Sequence, residues 1–349
     1  MDRILACAAN VSEGRDAAAI AQIEGAIASV SGVYVLHVDV GKTANRTVIT
    51  FAGEPEAVVE SAFLCFQAAA QWIDMRKHTG AHPRMGAVDV CPLIPIRGVE
   101  LGEAVALAHR LAKRVGDELH IPVYLYEHAA ARPERKKLAN IRNGEYEGFS
   151  RKIYLPEWTP DYGPAAYNPV SGQSVVGVRD ILVAYNVNLH TKDVEIAHTI
   201  AAEVRESGKL VKKDGAVVFG SDGKPLRQGG MLMHAAAIGW YIEEYGMCQV
   251  SLNLTKVDVT PIHLAYDTVR LLARRRHVEA GGSEIVGLVT LDPMLESGRY
   301  ARRLNGLPDT ESEAELLKSA ADYLGLNELY PFRPAEKIFE YIMTLRAVA

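Results

Sequence analysis

Two histidines stand four residues apart in the loop R-K-H-T-G-A-H-P-R-M-G, which precedes the mostly apolar run 88–96. The spacing of His78 and His82 suits zinc when both lie on one helix. Gly80 weakens such a helix, and Pro83 favours an extended conformation for the residue before it. An imidazole titrates near pH 6.5, which suits a positioned general base. The sequence therefore favours acid–base chemistry over metal binding, with two solvent-facing histidines as the alternative.

A second polar segment is V-D-V-G-K-T-A-N-R-T, at 38–47. Its Gly-Lys-Thr at 41–43 suggests a phosphate loop, but Leu36 stands where that motif requires its first glycine. Asp39 ends one strand-like run, and Asn45 and Arg46 begin the next. Polar side chains at such a connection either orient a substrate or a histidine, or cap a hairpin.

A third segment, residues 128–174, shows no clear strand, although residues 134–142 suit a short helix. It combines four prolines between 156 and 169 with four aromatic residues, Tyr154, Trp158, Tyr162 and Tyr167. Aromatic residues favour burial over disorder. The segment is either a wall for a flat ring ligand or a strap that packs over a sheet.

The bulk properties indicate a globular chain of two domains, because 349 residues are too many to fold around one small hydrophobic core. A net charge of −5 argues against a general nucleic-acid partner. The four cysteines form no C-x-x-C pair, and neither a signal peptide nor a membrane span stands out. We expect a protein of the reducing cytoplasm, without a metal, membrane or nucleic-acid partner.

Hydrophobic periodicity predicts the order β-α-β-β-α-β in the first half of the chain and again in the second. Asp16 is expected to cap the first helix, and Pro55 to open the second. This order is typical of the ferredoxin-like, or split βαβ, unit. The predicted fold class is α+β, with two ferredoxin-like subdomains at 1–178 and 179–330 and a tail at 331–349.

Six stretches of the chain together resemble the glutamate formimidoyltransferase family. They are NVSEGRD, VDVGKTANRTVITFAGEPEAVVE, IDMRKHTGAHPRMGAVDVCPLIP, PVYLYE, IRNGEYEG and PEWTPDYGPAAYNPVSGQSVVGVRDILVAYNVNL. The resemblance spans roughly residues 3–300, and joint matches of this length are far more specific than one short motif. Residues 211–231 match only loosely.

The resemblance implies an enzyme that moves a formimino group from N-formimino-L-glutamate to tetrahydrofolate during histidine degradation. It implies tetrahydrofolate as co-substrate, two α/β subdomains with a ligand tunnel between them, and a homodimer. In animals this portion precedes a cyclodeaminase domain, for which a chain ending at Ala349 is expected to have no room.

The resemblance also implies roles for particular residues. The family's catalytic histidine matches His82 rather than His78, and an aspartate that assists it matches Asp39. The family's folate-binding stretch matches Gly163, Pro164, Ala165, Ala166, Tyr167, Asn168, Pro169, Val170, Ser171 and Gly172. The usual P-N-F-S-E-G opening departs here, because Ala9 and Val11 flank Asn10 in place of proline and phenylalanine.

Two other functions remain open from the sequence. The donor could be N-formylglutamate, with formyl transfer on the same fold, because it differs from the formimino compound by one atom. A folate-binding or RNA-binding protein without catalysis is the alternative of another class, although few aromatic residues suit an RNA-binding sheet.

Overall fold

The computed structural model describes residues 3–42, 44–80, 82–221 and 223–348. The chain divides into two compact units, residues 1–181 and 182–349. Helices and strands both contribute to each unit, so the structure is of mixed α/β type, which is compatible with the predicted α+β class. None of the helices within the described residues is both long and apolar enough to cross a membrane.

The first unit alternates strands and helices around one sheet. In chain order its elements are β1 (Ile4–Val11), α1 (Ala17–Ala28), β2 (Val33–Gly41), β3 (Arg46–Gly53), α2 (Pro55–Trp72), β4 (Val88–Arg97), α3 (Leu101–Leu119), β5 (Val123–Glu127), α4 (Leu138–Arg142), α5 (Glu145–Lys152) and β6 (Ser174–Val178). Short 3₁₀ turns occur at Pro133–Arg135 and Pro156–Trp158.

The sheet of the first unit has the strand order β2-β3-β1-β4-β6-β5. The pairs from β2 to β4 are antiparallel, whereas β6 runs parallel to both β4 and β5. The predicted start of α1 is confirmed, because the Asp16 carboxylate accepts the backbone N–H groups of Ala18 and Ala19. Pro55 opens α2, also as predicted.

Apolar side chains cover both faces of this sheet. The α1, α2 and α3 helices pack on one face with Ile23, Phe66 and Leu111, all fully buried. On the other face, Phe149 and Ile141 of the 128–174 segment pack against Tyr124. Trp158 joins this second cluster through edge contacts with Tyr124 and Phe149. This part of the segment is therefore a strap over the sheet, with α4 and α5 as its helices.

The second unit repeats the order of the first. Its elements are β7 (Val183–Leu189), α6 (Val194–Val204), β8 (Lys209–Leu210), β9 (Lys212–Lys213), β10 (Ala216–Val217), β11 (Arg227–Gln228), β12 (Ala235–Ile242), β13 (Met247–Leu254), α7 (Ile262–Arg274), β14 (Ala280–Val286), α8 (Leu291–Leu304), α9 (Glu313–Leu324), α10 (Pro334–Lys337) and α11 (Phe339–Val348). The main sheet is antiparallel with the order β12-β13-β7-β14, and β8 to β11 form two small ribbons.

Candidate active site

Three loops at one end of the first sheet are tied together by polar contacts. The Ser12 hydroxyl donates to the carbonyl of Gly86 over 2.7 Å. The side chain of Asn45 accepts the N–H of Gly14 (2.9 Å) and donates to the carbonyl of Thr79 (2.9 Å). The loop after β1, the β2–β3 connection and the histidine loop therefore converge, as a site built from these segments requires.

Gly80 allows the histidine loop to lie directly on the β2–β3 connection. A Cβ atom at this position would stand 2.2 Å from the carbonyl oxygen of Ala44, much closer than side-chain atoms approach backbone. The next residue of the connection, Asn45, has a left-handed φ of 50°. Asparagine tolerates this conformation better than most residues do. Both residue types thus serve the close packing of the two loops.

His78 is a structural residue by its contacts. The residue is buried, with 8% of its surface exposed. Nε2 lies 2.8 Å from the backbone carbonyl of Asn45, and Nδ1 accepts from Nε of Arg84 over 3.2 Å. A carbonyl only accepts, so Nε2 carries the proton and both ring nitrogens are occupied. Burial lowers the pKa of His78 from its usual value, which favours this neutral form.

His82 has a different environment. The carbonyl oxygen of Pro83 lies 2.6 Å from Nδ1, and because a carbonyl only accepts, this contact favours the proton on Nδ1 and the lone pair on Nε2. Nη1 of Arg46 lies beside both ring nitrogens, 2.8 Å from Nδ1 and in contact with Nε2. Burial, and then the charges of Arg46 and Arg142, lower the pKa of His82 to about 4. The ring is partly buried and neutral at physiological pH, as a general base must be.

Arg46 connects His82 to the first strand. Its guanidinium also donates to the side-chain oxygen of Asn10. The amide of Asn10 is oriented by its own donation to the carbonyl of Ala8 over 2.7 Å. Burial lowers the pKa of Arg46 to about 10, so the group remains charged near neutral pH.

A buried ion pair lies close to Arg46. Asp89 of β4 is fully buried, with Oδ2 2.7 Å from the Arg142 guanidinium and Oδ1 3.0 Å from the N–H of Met85. Burial raises the pKa of Asp89, and the charges of Arg142 and Arg46 oppose that rise. A carboxylate placed in this way anchors the β4 end of the site to α4.

Asp39 lies near the same end of the sheet but does not bond to His82. Its side chain is exposed on β2, where the residue pairs with Val48. Its charge acts on Arg46, whose pKa it raises after the larger effects of burial and of Asp89. The structure thus brings His82 and Arg46 together, and places Asp39 at the margin of that pair.

The second half of the 163–172 loop is held in one conformation by its own hydrogen bonds. The side-chain oxygen of Asn168 accepts the N–H groups of Val170 (3.1 Å) and Ser171 (2.9 Å). Its backbone carbonyl accepts the N–H of Gly172 over 2.8 Å. Such an Asn-centred turn orders the loop through the loop's own hydrogen bonds.

This loop is fastened to the histidine loop. The carbonyl of Val170 accepts the N–H of Met75, which directly precedes the histidine loop, over 2.9 Å. Gly172 has a φ of +68°, and a Cβ on it would stand 2.3 Å from the carbonyl oxygen of Met85. The two segments predicted to be functional are therefore neighbours, although about 80 residues separate them in sequence.

The first half of the same loop is more open. Gly163 packs against the carbonyl of Ile121, whereas Ala165 and Ala166 are exposed. The ring of Tyr167 lies 5.7 Å from that of Tyr146, in a tilted arrangement. The loop thus offers an exposed edge on a fixed base, which suits a ligand-binding segment.

The sequence alone did not indicate three of these residues, Asn10, Asp89 and Arg142, as site components. Arg46 was one of the polar residues at the β2–β3 connection predicted either to orient a substrate or a histidine or to cap a hairpin. Asp89 carried a usable signal, because it is the only charged residue in the run 88–96. Among the residues with described positions, no three His, Cys, Asp or Glu side chains gather as metal ligands do.

Comparison with known families gives a match in each unit. A family model described as the formiminotransferase domain, N-terminal subdomain, matches residues 4–179. A second, described as the formiminotransferase domain, matches residues 184–344. The boundary between the two matches lies close to the division of the structure after residue 181.

Curated relatives agree with these matches. The chain is 42% identical over 343 residues to a formimidoyltransferase-cyclodeaminase of Rattus norvegicus, covering 98% of the chain and 60% of that protein. It is 40% identical over 321 residues to a glutamate formimidoyltransferase of Thermoplasma acidophilum, covering 91% of the chain and 99% of that protein. A glutamate formimidoyltransferase of Streptococcus pyogenes serotype M1 is 36% identical over 300 residues, with coverages of 86% and 93%.

The chain thus spans about three-fifths of the length of the Rattus relative and nearly the whole length of the Thermoplasma one. The resemblance noted in the motifs is confirmed by matches to both halves. On this evidence the chain belongs to the formiminotransferase domain family.

Proposed function

We propose that this chain is a glutamate formimidoyltransferase. It transfers the formimino group from N-formimino-L-glutamate to tetrahydrofolate and releases L-glutamate and 5-formiminotetrahydrofolate, a step of histidine degradation. The support comes from two relatives of that name, which match nearly full length at 36% and 40% identity. Tetrahydrofolate is the co-substrate of this reaction.

The reaction requires N5 of tetrahydrofolate to lose a proton and the glutamate nitrogen to gain one. N5 of tetrahydrofolate attacks the formimino carbon and loses its proton, which gives a tetrahedral intermediate. The bond from that carbon to the glutamate nitrogen then breaks, and the nitrogen leaves as an amine after it gains a proton. One group that first accepts and then donates a proton serves both steps.

We assign that group to His82. The observation that carries this assignment is the contact of its Nδ1 with the carbonyl of Pro83, which leaves Nε2 as the basic nitrogen. A pKa of about 4 keeps the ring neutral near physiological pH, so that a ring nitrogen is free of a proton and can accept one. His78 is less suited to the role, because the residue is buried at 8% exposure, whereas His82 is only partly buried.

Two further assignments belong to the same proposal. The loop 163–172 binds the folate, with the order imposed by Asn168 as its support. Asp39 assists His82 through its charge, which acts on the Arg46 guanidinium beside that ring. Holding two substrates in register supplies much of the rate in a reaction of this kind.

The architecture completes the proposal. The orders β2-β3-β1-β4 and β12-β13-β7-β14, each antiparallel, support two ferredoxin-like subdomains. We further propose a cytoplasmic homodimer, as the family resemblance implies. Light scattering at micromolar concentration should then give twice the 38.1 kDa of one chain, and a particle of 38.1 kDa would contradict the dimer.

The test of the activity compares two donors. The protein is incubated with tetrahydrofolate and either N-formimino-L-glutamate or N-formyl-L-glutamate, and the folate product is identified by mass. We expect 5-formiminotetrahydrofolate from the first donor and at most slow formation of 5-formyltetrahydrofolate from the second. Faster formyl transfer would replace the proposed donor, and folate binding without either product would indicate a binding protein.

A further inference from the structure

Arg46 differs from the other arginine of the site in its partners. Arg142 is paired with Asp89 at 2.7 Å, whereas the guanidinium of Arg46 contacts only neutral groups, Asn10 and His82. No carboxylate of the described residues lies within ion-pair distance of Arg46. Its Nε–H is buried and has no hydrogen-bond acceptor among those residues, a feature that Arg46 shares with Arg142.

Asp89 and Asp39 compensate the charge of Arg46 only from beyond ion-pair distance, so an anion in direct contact would stabilise the arrangement further. A guanidinium remains charged near neutral pH, and its planar set of donors matches the two oxygens of a carboxylate. Leaving a buried donor unsatisfied costs free energy that an incoming acceptor recovers. The position beside the proposed base therefore has the charge and the free donor of a carboxylate-binding site.

We propose that Arg46 binds the α-carboxylate of the donor amino acid, and that this contact draws its guanidinium away from Nε2 of His82. The inference rests on the proposed function for the identity of the donor. In N-formimino-L-glutamate the reacting nitrogen is attached to the same carbon as the α-carboxylate. A nitrogen that must exchange protons with His82 thus brings that carboxylate, and not the distant γ-carboxylate, beside Arg46.

The same contact would couple binding of the donor to the ability of His82 to accept a proton. Nη1 of Arg46 lies against both ring nitrogens of His82, including Nε2, which must accept the proton. The positive groups that face His82 are Arg46 and Arg142, while Asp89 and Asp39 act on Arg46. A carboxylate that attracts Arg46 removes the nearest of these positive groups from the ring and supplies a negative one.

The first experiment measures steady-state kinetics of Arg46→Gln and Arg46→Lys. We expect Arg46→Gln to raise the KM for N-formimino-L-glutamate by about 10- to 150-fold, as loss of a charge-assisted hydrogen bond does. The KM for tetrahydrofolate should stay within about two-fold. Arg46→Lys keeps the charge without the planar donors and should recover part of the loss.

The matched control is Arg205→Gln. Arg205 is a partly buried arginine of the second unit that donates to the carbonyls of Gly208 and Ala237. This variant should leave both KM values unchanged. An unchanged donor KM in Arg46→Gln would overturn the inference, and a rise in the tetrahydrofolate KM alone would assign Arg46 to a folate carboxylate instead.

The second experiment does not depend on catalysis. Titration of His82, identified by comparing NMR spectra of the protein with those of His82→Gln, should show its pKa rising when L-glutamate is added. L-isoglutamine, which carries an amide at the α position, should not produce this rise. In Arg46→Gln the pKa should be higher from the start and should not respond to L-glutamate.

The two experiments separate the inference from the proposed function. A response of His82 to L-glutamate but not to L-isoglutamine, in a protein that transfers no formimino group, would keep the anion site and reject the activity. Normal transfer with equal responses to both ligands would keep the activity and reject the anion site.

Discussion

The buried pair of Asp89 and Arg142 gives a prediction whose magnitude follows from the structure. In Arg142→Leu, Asp89 loses the hydrogen bond of 2.7 Å and keeps the N–H of Met85. Removing one partner of a buried pair typically costs about 3–5 kcal/mol of unfolding free energy. We expect the lower end, about 3 kcal/mol, because the charge of Arg46 also acts on Asp89.

Thermal unfolding followed by tryptophan fluorescence measures this loss. For a unit of 181 residues, each kcal/mol lowers the melting temperature by about 2–4 °C, so the transition should fall by about 6–12 °C. Burial raises the pKa of Asp89, and without Arg142 it protonates more readily. The loss in Arg142→Leu should therefore shrink as the pH falls, because the neutral acid needs no cation.

Two variants serve as controls for this prediction. Arg110→Leu removes an arginine from an exposed pair with Glu56 and should change stability by less than about 1 kcal/mol. The double variant Asp89→Asn with Arg142→Leu should be more stable than Arg142→Leu alone. A melting temperature within 3 °C of wild type for Arg142→Leu, or a double variant no more stable than the single one, would refute the reasoning.

Three further predictions concern the loops of the site. Gly80→Ala should reduce activity strongly with a smaller loss of stability, because its Cβ would push the histidine loop away from Ala44; unchanged kcat would contradict the close packing. His82 has a folded pKa of about 4, below its unfolded value of about 6.5. The neutral imidazole therefore contributes to the free energy of unfolding above pH 6.5, and this contribution is lost as the pH falls towards 4. Urea unfolding measures the difference in unfolding free energy between wild type and His82→Gln. This difference should change by about 1–2 kcal/mol over the same pH range, a value that is already reduced for solvent screening. Glycine at both Pro164 and Pro169 should weaken binding of a folate analogue more than binding of L-glutamate, by calorimetry; equal effects would make the loop structural.

The sequence predicted those elements whose local signals agree with their environment. The start of α1 follows from Asp16, and the strands β2 and β3 follow from their apolar runs. The α5 helix and the β6 strand were not predicted. The α5 helix is short and follows a left-handed Gly144, and β6 is five residues whose pairing partners β4 and β5 are distant in sequence. Such elements owe their stability to tertiary contacts.

The site shows the same division between local and distant information. The composition of the histidine loop indicated acid–base chemistry, and the family resemblance singled out His82. The sequence allowed Arg46 to orient a histidine but did not show which one, because 36 residues separate Arg46 from His82 and only the docking of two loops brings them together. Asp39 shows the limit of a sequence match. The family resemblance assigned it a role beside His82, but only the structure shows that its side chain is exposed.

The central claim is that His82, and not His78, exchanges protons with the substrates. The most direct test compares His82→Ala with His78→Ala, measuring formation of 5-formiminotetrahydrofolate from N-formimino-L-glutamate and tetrahydrofolate by its absorbance. We predict that His82→Ala loses at least ~100-fold of kcat with nearly unchanged folate affinity, and that His78→Ala loses much less. Equal losses in the two variants, or the larger loss in His78→Ala, would contradict the assignment.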